Sequence, residues 1–149
     1  MQDAVNAFAD RLDLRHIGPR PGIVLTGANL EGVVLQGLNL ERAFLQGAKL
    51  MEADLRDCIL VGADLRGANL AGAQLVRTDL RDADLRPLIL GPGRSHPVNL
   101  TRSQLRGADL RGAKLRQAWL DEADLSRALL EGADLSEARL PQLASRTVQ

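Results

Sequence analysis

Tyrosine is absent, and Phe and Trp together make up 2% of the chain. A surface that stacks nucleic-acid bases on aromatic rings is therefore not encoded. Net charge is also missing: 19 basic residues balance 19 acidic ones. The basic stripe that marks a nucleic-acid binder is absent from this balance, and so is the bulk acidity of a nucleic-acid mimic. One cysteine, Cys58, cannot form an intrachain disulfide or a CxxC metal site. No long apolar run follows a basic segment, and Asp3, Asp10 and Asp13 sit near the start. The expectation is a cytoplasmic chain with no membrane span and no signal peptide.

The apolar residues that are present come from a narrow alphabet, nearly all Leu and Ala. Leu recurs at every fifth position from Leu25 to Leu140, with Ser95 as the exception. Ala sits two residues before most of these, as at Ala28, Ala43, Ala63, Ala108 and Ala133. Asn or Asp often stands between them, as at Asn29, Asp54, Asp64, Asp84 and Asp124. Gly commonly follows two residues after Leu, as at Gly27, Gly47, Gly67, Gly107 and Gly132.

A period of five fits neither regular element. On an α-helix, five residues advance about 500°, so successive Leu would spiral around the cylinder. On a flat strand, residues five apart point to opposite faces. The Leu can share one interior only if the chain turns a corner once per unit. Ala and Leu, two apart, then point inward together, and the residue between them points outward. The other two residues form the corner. Gly at the second corner position allows the positive φ of a type II turn; Arg42, Glu52 or Arg77 at that position favours a turn without it. Cys58, Thr78 and Ser103 replace inward Ala, and all three are small. Cys58 should therefore be buried and unreactive.

The units Ala28-Asn29-Leu30-Glu31-Gly32, Ala63-Asp64-Leu65-Arg66-Gly67 and Ala108-Asp109-Leu110-Arg111-Gly112 resemble the A(D/N)LxG unit of the pentapeptide-repeat family. The resemblance covers about residues 23–140, in more than twenty units. It implies an all-β solenoid, a right-handed quadrilateral β-helix with four units per coil. Each coil of such a rod touches only its neighbours, so its ends need caps. Residues 1–22 lack the repeat, and Val5, Phe8, Ala9 and Leu12 are spaced as one apolar helical face. They predict a short N-terminal capping helix. Residues 141–149 form a tail with a single Leu, Leu143, and so no comparable cap. A homodimer through the C-terminal end would hide the uncovered coil.

Residues 91–97, Gly-Pro-Gly-Arg-Ser-His-Pro, interrupt the repeat. Leu90 and Leu100 remain ten apart, so either one unit is replaced in register, or a five-residue loop is ejected and later faces shift by a quarter. A protruding loop would offer Arg94 and His96 to a partner. Ser95 and His96 do not make a catalytic pair, because nothing identifies an Asp to orient His96. His16 stands alone. Gly107 and Gly112 have P-loop spacing but are followed by Ala113-Lys114, so that spacing is the repeat itself. No cofactor or metal ligand set emerges.

Arg66, Arg86 and Arg106 are twenty apart. With four units per coil they would form a ladder at one corner, each leaning on Asp64, Asp84 or a neighbour. Trp119 and Leu129, both at outward positions, are candidates for an interface, and Phe44 points outward near the other end. The function expected is a non-enzymatic scaffold that presents a rigid surface to a protein partner. Two alternatives stand beside it: a DNA-mimicking, topoisomerase-binding protein like the gyrase-protecting members of the family, and an anion-binding module built on the Arg ladder.

Overall fold

A computed structural model of the chain describes residues 22–142. The predicted N-terminal helix and most of the C-terminal tail lie outside these residues. Each five-residue unit of the coil contributes one residue to isolated parallel bridges with the coils beside it. Val24 pairs with Phe44 and Phe44 with Asp64, a spacing of twenty, and the same spacing links Asn29 to Lys49, Val34 to Asp54 and Asn39 to Ile59. Twenty residues hold four units, so each coil has four sides.

The local cause is a turn at every corner. Ala28 N–H donates to Leu25 C=O at 3.0 Å, and the equivalent bond recurs at Ala43 to Leu40 and Ala63 to Leu60. The bends between turns are straight enough for coil-to-coil pairing, as in Leu45 N–H to Asp64 C=O at 2.7 Å and Asp64 N–H to Ala43 C=O at 2.9 Å. Inside, Leu and Ala fill the lumen; Leu30 through Leu85 at intervals of five are at most 3% exposed. Thr78 and Cys58 satisfy their polar atoms inward, Oγ1 on Leu55 C=O at 2.8 Å and Sγ on Leu35 C=O at 2.9 Å. Ser103 Oγ is buried with no hydrogen-bond partner.

The corner residues correct one expectation. Arg42, Glu52 and Arg77 all have positive φ, 56°, 60° and 56°. The corner N–H explains why: Arg42 N–H donates to Val61 C=O at 2.8 Å and Glu52 N–H to Ala71 C=O at 3.0 Å. Corner conformation is dictated by coil-to-coil pairing, so a non-glycine residue accepts the left-handed region and its cost, about 1–2 kcal/mol.

The interruption also departs from both alternatives. The bridge partners that span the segment after Leu85 are thirty apart: Asn69 with Asn99, Gln74 with Gln104, Asp79 with Asp109, Asp84 with Lys114; past it the spacing returns to twenty, as in Asn99 with Trp119. Ten residues therefore leave the coil. They form an antiparallel hairpin of β1 (Leu88–Gly91) and β2 (Arg94–His96), with Leu88 opposite His96 and Ile89 opposite Ser95. Pro92 sets the first turn position, and Gly93, φ 67°, fits the second position of a type II turn. Two strands and a turn need more chain than one unit supplies, which is why neither a replaced unit nor a five-residue loop describes the segment. Leu90, on the Leu repeat by sequence, is 54% exposed.

Candidate interaction surface

Where the outward residue of a unit is Asp or Asn, it has a local task that the repeat pattern alone did not reveal. Its side-chain oxygen accepts the backbone N–H two residues on, as in Asn39 Oδ1 from Glu41 at 3.0 Å and Asn99 Oδ1 from Thr101 at 2.9 Å. This is an Asx-turn, and the Asx-x-corner spacing is its sequence signal. Where the second residue is Arg, the same carboxylate also takes the guanidinium. Asp64 Oδ1 accepts Arg66 Nε at 2.9 Å and Oδ2 accepts Nη2 at 2.7 Å; Asp84 and Arg86 repeat both distances. Asp54–Arg56, Asp79–Arg81 and Asp109–Arg111 are built alike. The Arg56 hydrogen bond holds the Asp54 carboxyl below its ordinary value, against a smaller opposing effect of burial. At Asp64 and Asp84 burial is the largest single influence and pushes upward, but the bonds from Arg66 and Arg86 together keep both carboxyls low.

The Arg ladder exists, with one member exchanged. Arg66 and Arg86 stand on adjacent coils, because Asp64 pairs with Asp84. Arg106 is elsewhere: its C=O accepts Arg77 N–H, in the column of Arg56 and Val76, half a coil away. The ten-residue hairpin moves Arg116 into its place. Arg66, Arg86 and Arg116 line one open groove of about 260 Å³ together with Pro87, Ile89 and Gln117. Glu137 holds the lower end, accepting Arg116 Nη2 at 2.9 Å and Gln117 Nε2 at 2.8 Å.

The hairpin lies against this corner, Leu88 over Gly67 and Gly47. Arg94, Ser95 and His96 are exposed on β2, and Ile89 is 71% exposed. Trp119 and Leu129 do not form one surface. Trp119 pairs with Asn99 and Arg139, Leu129 with Asp109, so they stand half a coil apart. Arg139 covers the Trp119 ring at 4.4 Å and is held by Asp121 at 2.7 Å. Phe44 is outward and 44% exposed. Cys58 is buried, and loss of solvation raises its thiol pKa to about 11. At the C-terminal end Leu125, Leu130 and Leu135 are half-buried and Leu140 is 52% exposed. No group of His, Cys, Asp and Glu among the described residues could hold a metal ion. No helix among them is long and apolar enough to cross a membrane.

A four-sided coil filled by Leu and Ala, turned at each corner by a backbone hydrogen bond and paired in parallel with its neighbours, defines a tandem-repeat β-solenoid. The sequence model of the family described as pentapeptide repeats matches 8 copies, over residues 22–50, 48–86, 98–117 and 108–142. The chain belongs to the pentapeptide repeat family. The matched stretches stop at 86 and resume at 98, which brackets the hairpin. No curated protein matches the sequence. Among solved structures, the chain is similar to the pentapeptide repeat protein Rfr23 from the cyanobacterium Cyanothece 51142: identity is 25%, coverage 91% of this chain and 97% of that one, TM-score 0.44. It is also similar to HetL of Nostoc sp. strain PCC 7120, a pentapeptide repeat protein involved in heterocyst differentiation regulation, at 25% identity, 81% and 71% coverage and TM-score 0.31. QnrB1, a plasmid-mediated fluoroquinolone resistance protein, matches at 19% identity, 83% and 75% coverage and TM-score 0.40.

Proposed function

We propose that this chain is a non-enzymatic, right-handed β-helical scaffold of the cytoplasm that presents one corner of its rod to a protein partner. The observation that carries this reading is the hairpin. Ten residues leave an otherwise unbroken coil, and they hold Ile89 and Leu90, 71% and 54% exposed, beside three stacked arginines. Loops on rigid scaffolds are where binding concentrates, and this one costs the rod half a coil. Capture from the native host with the full chain and with a chain lacking residues 87–96 tests it. The deletion restores twenty-residue spacing, so the rod should fold. A partner retained by the full chain and lost by the shortened one is the expected result; identical partners for both would overturn it.

The topoisomerase-binding reading has less support. Mimicry of DNA needs a run of uncompensated carboxylates, whereas Asp64 and Asp84 are each closed by their own arginine. Weak or absent inhibition of DNA gyrase is expected. The anion-binding reading gains from the groove, where Arg116 completes the set that Arg106 leaves. Self-association belongs to the same proposal. A two-fold contact through the C-terminal end would cover Leu140 and the last coil on both copies. Trp119, already covered by Arg139, would stand at its rim.

A further inference from the structure

We propose that the groove between the hairpin and the arginine corner receives a single anionic group, carboxylate or phosphate, carried next to an apolar side chain on a protein partner. This rests on the scaffold reading and names the chemistry of its partner. Like charges on neighbouring coils repel, at a layer spacing of about 4.8 Å, yet Arg66, Arg86 and Arg116 are kept on one wall. Each is held in place by an acid of its own: Asp64, Asp84 and Glu137. The Asp forks engage Nε and one N–H of Nη2. A guanidinium has five N–H donors in a rigid plane, so the Nη1 edge of Arg66 and of Arg86 has donors left for a further oxyanion. The fork also fixes the long side chain beforehand, which lowers the ordering cost of binding.

Size and charge decide what kind of partner fits. A volume of about 260 Å³ lies just under the common range for small-molecule pockets, roughly 300–1,000 Å³. It holds a side chain or two rather than a cofactor. A nucleic-acid strand would bring phosphates along the rod, and these would meet Asp64, Asp84 and Glu137 in turn. One anion met by the guanidinium edges avoids that repulsion. Pro87 and Ile89 also line the groove, and these apolar side chains complement an aliphatic neighbour of the anion.

Three blocked tripeptides test this on the full chain: acetyl-Leu-Glu-Leu-amide, its phosphoserine counterpart, and acetyl-Leu-Gln-Leu-amide. The readout is the backbone amide spectrum of isotope-labelled protein. Saturable shifts at Arg86, Ile89, Arg116 and Gln117 are expected for the two anionic probes, with dissociation constants of roughly 1 mM. The tighter of the two identifies carboxylate or phosphate as the source. Arg86→Gln with Arg116→Gln, and separately Ile89→Ser, should each weaken binding about tenfold or more while amide dispersion elsewhere is unchanged. Equal shifts from the Gln peptide, no saturation at roughly ten times that concentration, or full binding by the double variant would overturn the proposal. Hairpin-dependent capture of a partner alongside such a failure would leave the scaffold reading intact and remove only this groove from it.

Discussion

A Cβ placed on Gly67 would lie 2.6 Å from the Cβ of Leu88 and 3.2 Å from the carbonyl oxygen of His96. The hairpin thus docks on a corner that only glycine leaves low enough. Gly67→Ala must bear two costs: the left-handed backbone, φ 68°, and the displacement of the hairpin. Gly27→Ala, φ 68° with nothing within 4 Å of its Cβ, bears only the first, about 1 kcal/mol. Denaturant melts should show Gly67→Ala worse by a further 1–3 kcal/mol, roughly the cost of overpacking, with faster proteolysis at residues 88–96. Equal losses at the two sites would mean that the hairpin does not rest there.

Arg102 holds φ 59° at an exposed corner. Arg77, φ 56°, is tied to Asp57 one coil away at 2.8 Å. Arg102→Gly should raise stability by about 0.5–1 kcal/mol, since relief of left-handed strain exceeds the entropy that glycine adds to the unfolded chain. Arg77→Gly should gain less, because it also removes the bond to Asp57. The comparison is a pair of equilibrium melts, and a loss at Arg102 would contradict the strain.

Leu80 and Leu90 occupy the same position of the five-residue repeat, but one is 1% exposed and the other 54%. Leu80→Ala should cost about 2–5 kcal/mol, as buried leucine truncations do. Leu90→Ala should stay within about 0.5 kcal/mol, the usual effect of a surface change. Comparable losses in chemical melts would put Leu90 back in the lumen.

The Asp–Arg forks contribute to the acid limb of stability. Asp54, Asp79 and Asp109 have carboxyls held below the ordinary 3.8 by their arginines. A carboxyl depressed in the folded state stabilises fully above the unfolded pKa and loses that contribution as pH falls through the folded one. Thermal midpoints should therefore be flat above about pH 5 and fall progressively below 3.8. Replacing Asp54, Asp79 and Asp109 together by Asn, which keeps the Asx-turn acceptor, should flatten that fall. An unchanged acid limb in the triple variant would assign it to other groups.

Much of this was legible from the five-residue period, because coil-to-coil pairing and a lumen sized for Leu and Ala repeat at every layer. The inward places of Cys58 and Thr78 and the outward place of Phe44 follow from that alone. Two things did not. The positive φ of Arg42, Glu52 and Arg77 is imposed by neighbouring coils, which local turn preference does not see. The hairpin hides because its ten residues equal two units: Leu90 keeps the spacing of its neighbours although its side chain has left the core. That coincidence put Arg106 on the wrong corner and concealed Arg116.

The placement of Arg116 beneath Arg86 is the claim on which the arginine groove depends, and cross-linking reads it directly. Two variants are needed, both with Cys58→Ala: Arg86→Cys with Arg116→Cys, and Arg86→Cys with Arg106→Cys. Adjacent coils lie about 4.8 Å apart, within the roughly 4.4–6.8 Å that a disulfide spans between Cα atoms. Under mild oxidation of the folded protein, the 86–116 pair should close readily and the 86–106 pair should stay reduced. Closure of 86–106 in preference to 86–116 would return the ten residues to the coil and dissolve the groove.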